Sequence, residues 1–204
     1  MKKEERILRE ILMGIMEKRE RFYQKETSKT CKVSIGLVNK VVNKLEEQGS
    51  IQRKTKGFSV IDPNKILMYW STKRNLNREV SEKHYIKKSV TEIEKTLPNC
   101  VIFTAYSGWR LLTERTPADY REIYVYVPVG KRELMRMWLK ENKPSKGPEN
   151  LFIIYTDDEH LIKSSRKNIA PIPQIFADIY SLAGISGKYF LKDIMGVYPI
   201  FELV

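Results

Sequence analysis

The sequence from Tyr23 to Ile51, YQKETSKTCKVSIGLVNKVVNKLEEQGSI, decides the fold of the N-terminal part of the chain. It predicts a helix over 22–30, a short break at 31–33 and a second helix that begins at the N-cap Ser34 and stops at Gly49. Apolar residues at helical spacing let the second helix pack against the first. Two helices joined by a tight turn form the pattern of a helix-turn-helix. The apolar residues of the second helix are Val38, Val41, Val42 and Leu45.

The flanking segments extend this pattern in both directions. Before it, residues 3–18 predict a helix, because isoleucines and leucines recur there at intervals of three and four. After it, 51–53 and 58–61 predict two short strands joined by a basic hairpin turn at 54–57. The predicted order is three helices, a strand, a basic turn and a strand, and it defines an N-terminal domain over 1–63.

The side of the second helix that faces away from its apolar stripe carries amide and basic groups. Asparagine can form paired hydrogen bonds with adenine, and lysine can reach guanine or phosphate. No acidic residue lies between Ser34 and Leu45, and residues 21–61 hold nine basic and three acidic side chains. The sequence therefore predicts binding to double-stranded DNA, with the basic turn on phosphates or in the minor groove. The candidate DNA-binding residues are Ser34, Ile35, Gly36, Asn39, Lys40, Asn43 and Lys44 in the helix, and Arg53, Lys54 and Lys56 in the hairpin.

The net charge of the 204 residues is +12, and most of it lies in the first half. Residues 1–97 hold 23 basic and 13 acidic side chains, whereas residues 98–204 hold 14 and 12. A positive excess on one part of a chain favours contact with a polyanion, although a lysine-rich composition would give the same total. The start of the chain predicts no signal peptide, and no stretch is long and apolar enough to span a membrane. A cytoplasmic protein is expected.

Neither a metal nor a cofactor is predicted. Cys31 and Cys100 are isolated in the sequence, which predicts two reduced thiols rather than a disulfide or a zinc site. His84 and His160 lie far from one another and from any run of potential ligands.

The remainder of the chain predicts a charged helical linker over 64–97 and a second domain over 98–204. The linker is expected either to set the orientation of the two domains or to form a homodimer. In the second domain short apolar strands alternate with helices, which predicts an α/β or α+β arrangement and makes the whole chain α+β. The predicted strands are 101–103, 122–127 and 151–155, and the predicted helices are 109–114, 131–143, 172–183 and 188–195.

Residues 98–204 offer no convincing catalytic set. Ser107 has no obvious histidine partner, so a hydroxyl group in a turn is the simpler interpretation. The acidic run 157–159 could bind a cation, but a solvated loop after a strand is the more ordinary interpretation. Asp178 is expected to face solvent or to cap a helix.

Two resemblances add to these predictions. Leu45 to Ile51, LEEQGSI, resembles the end of the recognition helix and the first wing strand of MarR-like winged-helix regulators. The longer chain resembles archaeal-like AbiEi-type antitoxins, the regulators of type IV toxin–antitoxin pairs. The matching segments are FTAYSGWRLL at 103–112, YVYV at 124–127 and APIPQIFADIY at 170–180.

The second resemblance implies a reduced nucleotidyltransferase fold after residue 98. Active enzymes of that fold place two carboxylates on one face of a strand to hold metal ions, whereas Glu122, Tyr124 and Tyr126 provide only one. The chain is therefore expected to be no enzyme, but a repressor of its own operon. The implied partner is a toxin of nucleotidyltransferase fold, bound without a stable complex. The alternatives are a small nucleotidyltransferase acting on nucleic acid and a winged-helix adaptor that binds proteins.

Overall fold

The computed structural model describes residues 3–182 and 184–199 and has an α+β fold, as predicted. Ten α-helices and six strands lie within these residues, and the strands form two separate sheets. The helices are α1 (Lys3–Met16), α2 (Gln24–Cys31), α3 (Ile35–Glu47), α4 (Pro63–Lys73), α5 (Val90–Thr96), α6 (Ala105–Thr113), α7 (Arg132–Asn142), α8 (Glu159–Ser164), α9 (Ile172–Tyr180) and α10 (Ile185–Val197). The strands are β1 (Ile51–Arg53), β2 (Phe58–Val60), β3 (Glu82–His84), β4 (Ile102–Thr104), β5 (Ile123–Pro128) and β6 (Leu151–Thr156).

The first three helices pack around the predicted apolar stripes. The turn between α2 and α3 is made by Lys32, whose φ of 51° places it in the left-handed region at the end of α2. Ser34 caps α3 as predicted, because its side-chain oxygen accepts a hydrogen bond from the Leu37 amide at 3.3 Å. The inward residues of α3 are buried, so its opposite side is left to solvent.

The β1–β2 hairpin is attached to the segment that precedes α2. Phe22 and Phe58 exchange two backbone hydrogen bonds of 2.8 and 2.9 Å, and their rings stack with centroids 5.5 Å apart. Gly57 makes this approach possible, because a Cβ atom there would lie 2.1 Å from the Phe22 carbonyl oxygen. These backbone hydrogen bonds between Phe22 and β2 therefore fix the hairpin to the segment that precedes α2.

The larger sheet has the strand order β3-β6-β5-β4. The central strands β5 and β6 run parallel, while β3 and β4 pair antiparallel at the edges. Helices cover both faces: one face contributes Tyr124, Tyr126 and Phe152 to the core that contains α1, α6 and α9. The other face packs against a second core that includes α5 and α7.

The prediction that 64–97 is a helical linker was wrong in part. The segment does contain α4 and α5, but Glu82, Lys83 and His84 between them form β3 on β6. The sequence of β3 lacks the apolar alternation that marks a strand. It is a short, charged edge strand, and its pairing with β6 makes it a strand. The helix α4 packs against both α1 and α9, so it belongs to the core rather than to an exposed bridge.

Other element bounds lie within about three residues of the predictions, as for α9, which ends at Tyr180, and α10, which begins at Ile185. Two differences are larger. The helix expected from 109 already begins at Ala105, and the acidic run expected in a loop opens the helix α8. Asp158 is the N-cap of α8, because its carboxylate accepts hydrogen bonds from the amides of His160 and Leu161. Among the described residues, no helix has the length and apolar character needed to cross a membrane.

Candidate nucleic-acid interface

The sequence-predicted residues lie together on one side of the N-terminal part. We call Ser34, Ile35, Gly36, Asn39, Lys40 and Asn43 the α3 outer face, and all six are exposed. Arg53, Lys54 and Lys56 of the hairpin are exposed as well. A Cβ atom at Gly36 would meet nothing within 4 Å, so the beginning of α3 is open to an approaching molecule. Lys44 differs from the others, because it is half-buried and points its ammonium group towards Glu4 at 4.0 Å.

The hairpin adds a basic concavity that the sequence analysis missed in part. This open space of about 530 Å³ is lined by Arg21, Arg53, Lys54, Thr55 and Lys56. Arg21 lines this space because the neighbouring Phe22 pairs with Phe58 on the hairpin. No local sequence pattern predicts that pairing. Four cations and no carboxylate line the concavity, which suits the oxygens of a phosphate group.

Arg53 connects the hairpin to the α3 outer face. Its Nε donates to Glu46 at 2.6 Å, and its Nη2 donates to the amide oxygens of Asn39, at 3.4 Å, and of Asn43. Gln24 on α2 also donates to the Asn39 oxygen at 3.5 Å. The two asparagines predicted to read bases are therefore already hydrogen-bonded within the protein.

A second polar region is buried between α1, α4, α9 and the larger sheet. Its centre is Arg74, whose side chain is 0% exposed and forms ion pairs with Asp178 at 2.7 Å, Glu5 at 3.0 Å and Glu79 at 2.8 Å. Tyr126 accepts a further hydrogen bond from Arg74 at 2.8 Å. Burial alone would lower the pKa of Arg74, but Tyr126 and the surrounding carboxylates hold that pKa well above its usual value. We call this group the Arg74 cluster.

Asp178 is a buried member of the Arg74 cluster. The prediction that it faces solvent or caps a helix was therefore wrong. It is fully buried and accepts hydrogen bonds from Arg74, from Thr104 at 2.6 Å and from Tyr126 at 2.7 Å. These three partners lie 52 to 104 residues away in the sequence, so local patterns gave no sign of them. Gln174, one turn earlier on α9, also donates to Asp178 at 2.9 Å.

A neighbouring group, the Arg9 cluster, joins α1 to α8 and α9. Arg9 is fully buried and donates to Asp158 at 3.1 Å and to Gln174 at 3.0 Å. His160 lies 3.0 Å from Arg9 through Nδ1 and 3.0 Å from Glu10 through Nε2. Burial would raise the pKa of Asp158, but Arg9, the Leu161 amide and Arg6 together lower it below its usual value. The interpretation of 157–159 as a solvated loop was therefore wrong at Asp158.

The Arg74 cluster lies on the face of β5 that presents Tyr124 and Tyr126. Tyr126 is 0% exposed and Tyr124 is 2% exposed, while Ser107 is fully buried. Within residues 3–182 and 184–199, no three histidine, cysteine, aspartate or glutamate side chains are grouped so that they could hold a metal ion.

Comparisons of the chain with protein-family models, with curated proteins and with solved structures found no match.

Proposed function

We propose that this protein is a regulator of transcription that binds double-stranded DNA through α3 and the β1–β2 hairpin. The observation that carries the proposal is the continuity of the α3 outer face with the basic concavity of the hairpin. Together they present exposed amides, lysines and arginines on one side of the molecule. A helix that fits the major groove, flanked by cations that reach phosphates, is the usual arrangement of a sequence-reading module.

The same arrangement supports the assignment of a winged helix-turn-helix to the N-terminal part. The turn at Lys32 and the N-cap Ser34 set α3 across α2, and the hairpin follows α3 directly. The hairpin is braced by Phe22 rather than projecting freely. A braced hairpin supports the role of a wing, because it can hold its cations at a fixed distance from the helix that reads bases.

Binding to DNA from upstream of the protein's own gene tests this proposal. Fluorescence anisotropy would compare that duplex with a random duplex of equal length at several salt concentrations. We expect much tighter binding to the upstream duplex, retained at physiological salt, because base contacts add to the salt-dependent phosphate contacts. The expected site is an inverted repeat, which two copies of the protein would read together.

Two charge-reversal variants test whether DNA binding depends on the α3 outer face or only on the net positive charge of the protein. Lys40→Glu alters the α3 outer face, and Lys146→Glu makes the same change on the exposed loop between α7 and β6. Lys40→Glu is expected to abolish preference for the upstream duplex, whereas Lys146→Glu should keep it. Equal, salt-labile binding to both duplexes by the unaltered protein would contradict the regulator. No salt-dependent binding at all would favour a protein-binding adaptor.

For the C-terminal part we propose a nucleotidyltransferase-like module without catalytic activity, used as an antitoxin or as a support for operator binding. Its support is the filling of the β5 face by Arg74, Tyr126 and Asp178, which leaves little room for a nucleotide there. Incubation with nucleotides, magnesium and nucleic acid should give no transfer. Any transfer that disappears in Glu122→Ala would overturn this part of the proposal and favour the small enzyme.

A further inference from the structure

The contacts of Arg53 bear on how the α3 outer face reads bases. An asparagine pairs with adenine by accepting from its N6 amino group and donating to its N7. The amide oxygen of Asn39 already accepts from Arg53 at 3.4 Å and from Gln24 at 3.5 Å, so both of its lone pairs are in use. The amide oxygen of Asn43 also accepts from Arg53. Asn39 therefore has only its Nδ2 donors left for a base, whereas Asn43 keeps one lone pair as well as its Nδ2 donors.

Glu46 keeps Arg53 in this position. Its carboxylate accepts from Arg53 Nε at 2.6 Å, which turns the Nη2 group towards the two asparagines one and two helical turns earlier on α3. The pair is partly exposed, with Arg53 at 39% and Glu46 at 42% of side-chain surface. Arg53 thus reaches across from β1 to α3, and its neighbour Lys54 instead donates to Gln52 on the hairpin itself.

We infer that Arg53 is a specificity-determining residue, which together with Gln24 occupies the amide oxygen of Asn39 and leaves that side chain as a hydrogen-bond donor directed to guanine. This inference rests on the proposed DNA-binding function. Guanine presents two acceptors in the major groove, N7 and O6, whereas adenine presents one acceptor beside a donor. An amide that can only donate fits guanine and meets an unpaired donor on adenine. The adenine contacts predicted from the sequence treat each asparagine as free of the hairpin.

Selection from a duplex library with a randomised centre tests the inference. The unaltered protein, Arg53→Ala and Lys54→Ala would each be incubated with the library, and the bound duplexes sequenced. Arg53→Ala frees one lone pair of the Asn39 oxygen, while Gln24 still donates to the other. Asn39 can then accept from adenine, so the ratio of guanine to adenine at the position it contacts should fall by about tenfold. Lys54→Ala is the matched control, since it removes a hairpin cation without touching α3, and should keep the ratio.

The outcomes distinguish this inference from the proposed function. If the unaltered protein enriches a sequence and Arg53→Ala enriches the same one, Arg53 is only a phosphate contact and the inference is wrong. If the unaltered protein enriches nothing, the proposed function itself fails. The hydrogen bonds from Arg53 to the two asparagines can also be tested in the free protein. The measurement is the nuclear magnetic resonance signals of the Asn39 and Asn43 side-chain NH2 groups. These should shift in Arg53→Ala and in Glu46→Gln, and unchanged signals would overturn the inference without any DNA.

Discussion

Arg74 and Arg53 both bind carboxylates and neutral oxygens, but in very different surroundings. Arg74 pairs with three carboxylates and donates to Tyr126, whereas Arg53 pairs with one carboxylate and donates to two amide oxygens. The Arg74 side chain is 0% exposed and the Arg53 side chain is 39% exposed. A buried arginine has no water to replace a lost partner, so its contacts are fixed. An exposed arginine has water to replace a lost partner, so the loss of one contact costs little stability. The comparison separates a region that holds the fold from a region suited to binding.

The largest effect is expected when a carboxylate is removed from the Arg74 cluster. Asp178→Ala leaves Arg74, Thr104 and Tyr126 without their common acceptor in a fully buried site. Loss of one partner from such a pair costs about 3–5 kcal/mol, measured as the free energy of unfolding in urea. Asp178→Asn is the control that keeps the volume and removes the charge. A loss below about 1 kcal/mol for Asp178→Ala would mean that Arg74 is not held as described.

On the exposed region the effect should appear in binding rather than in stability. Asn39→Ala or Asn43→Ala is expected to weaken binding to the correct operator by about 1–3 kcal/mol and binding to random DNA very little. Lys54→Ala should weaken both alike and reduce the salt slope by about 1, because it removes a phosphate contact. Anisotropy titrations on both duplexes measure this difference. Identical behaviour of the three variants would show that the orientation assigned to α3 is wrong.

A smaller effect is expected from the pH dependence of the Arg9 cluster. The pKa of Asp158 is lowered in the folded protein, so its ionised form adds stability that is complete above the ordinary aspartate value of about 3.9. This stability is lost as the pH falls through the lower, folded-state pKa. The stability difference between the unaltered protein and Asp158→Asn should therefore shrink in acid, measured by urea unfolding at pH values on both sides of that range. A difference that is constant with pH would contradict the role given to its charge.

The smallest effect is expected for the exposed carboxylate that matches Asp178 in the comparison. Glu46→Gln removes the charge that holds Arg53, but water can replace it on both groups. The free energy of unfolding should change by no more than about 0.5 kcal/mol. A thermal or urea melt checks this, and a loss comparable with that of Asp178→Ala would remove the distinction between the two regions.

The N-terminal helices and the hairpin were predictable because their signals are local. The apolar spacing of α1 and α3, the N-cap Ser34 and the turn before Phe58 each act within a few residues. The exposure of the α3 outer face followed from the same spacing. Its hydrogen bonds to Arg53 did not, because they depend on how far the hairpin folds back on the helix.

The polar interior could not be predicted in the same way. Burial of Asp158 and Asp178 depends on Arg9 and Arg74, which lie 149 and 104 residues away in the sequence. A carboxylate on a helix or after a strand ordinarily faces solvent, and only its distant partner reverses that expectation. The strand β3 was missed for a related reason, since its three polar residues become a strand through pairing with β6.

The helix α1 has a consequence for how such a protein can change over generations. Its apolar side belongs to the packing of α2 and α3. On its other side Glu5 pairs with Arg74, which follows α4, while Arg9 and Glu10 meet side chains of α8 and α9. Recombination that joined residues 1–63 to an unrelated C-terminal half would bury these charged side chains without their partners. Residues 1–63 and the rest of the chain are therefore expected to be inherited as one piece, with substitutions in α1 accompanied by substitutions in its distant partners.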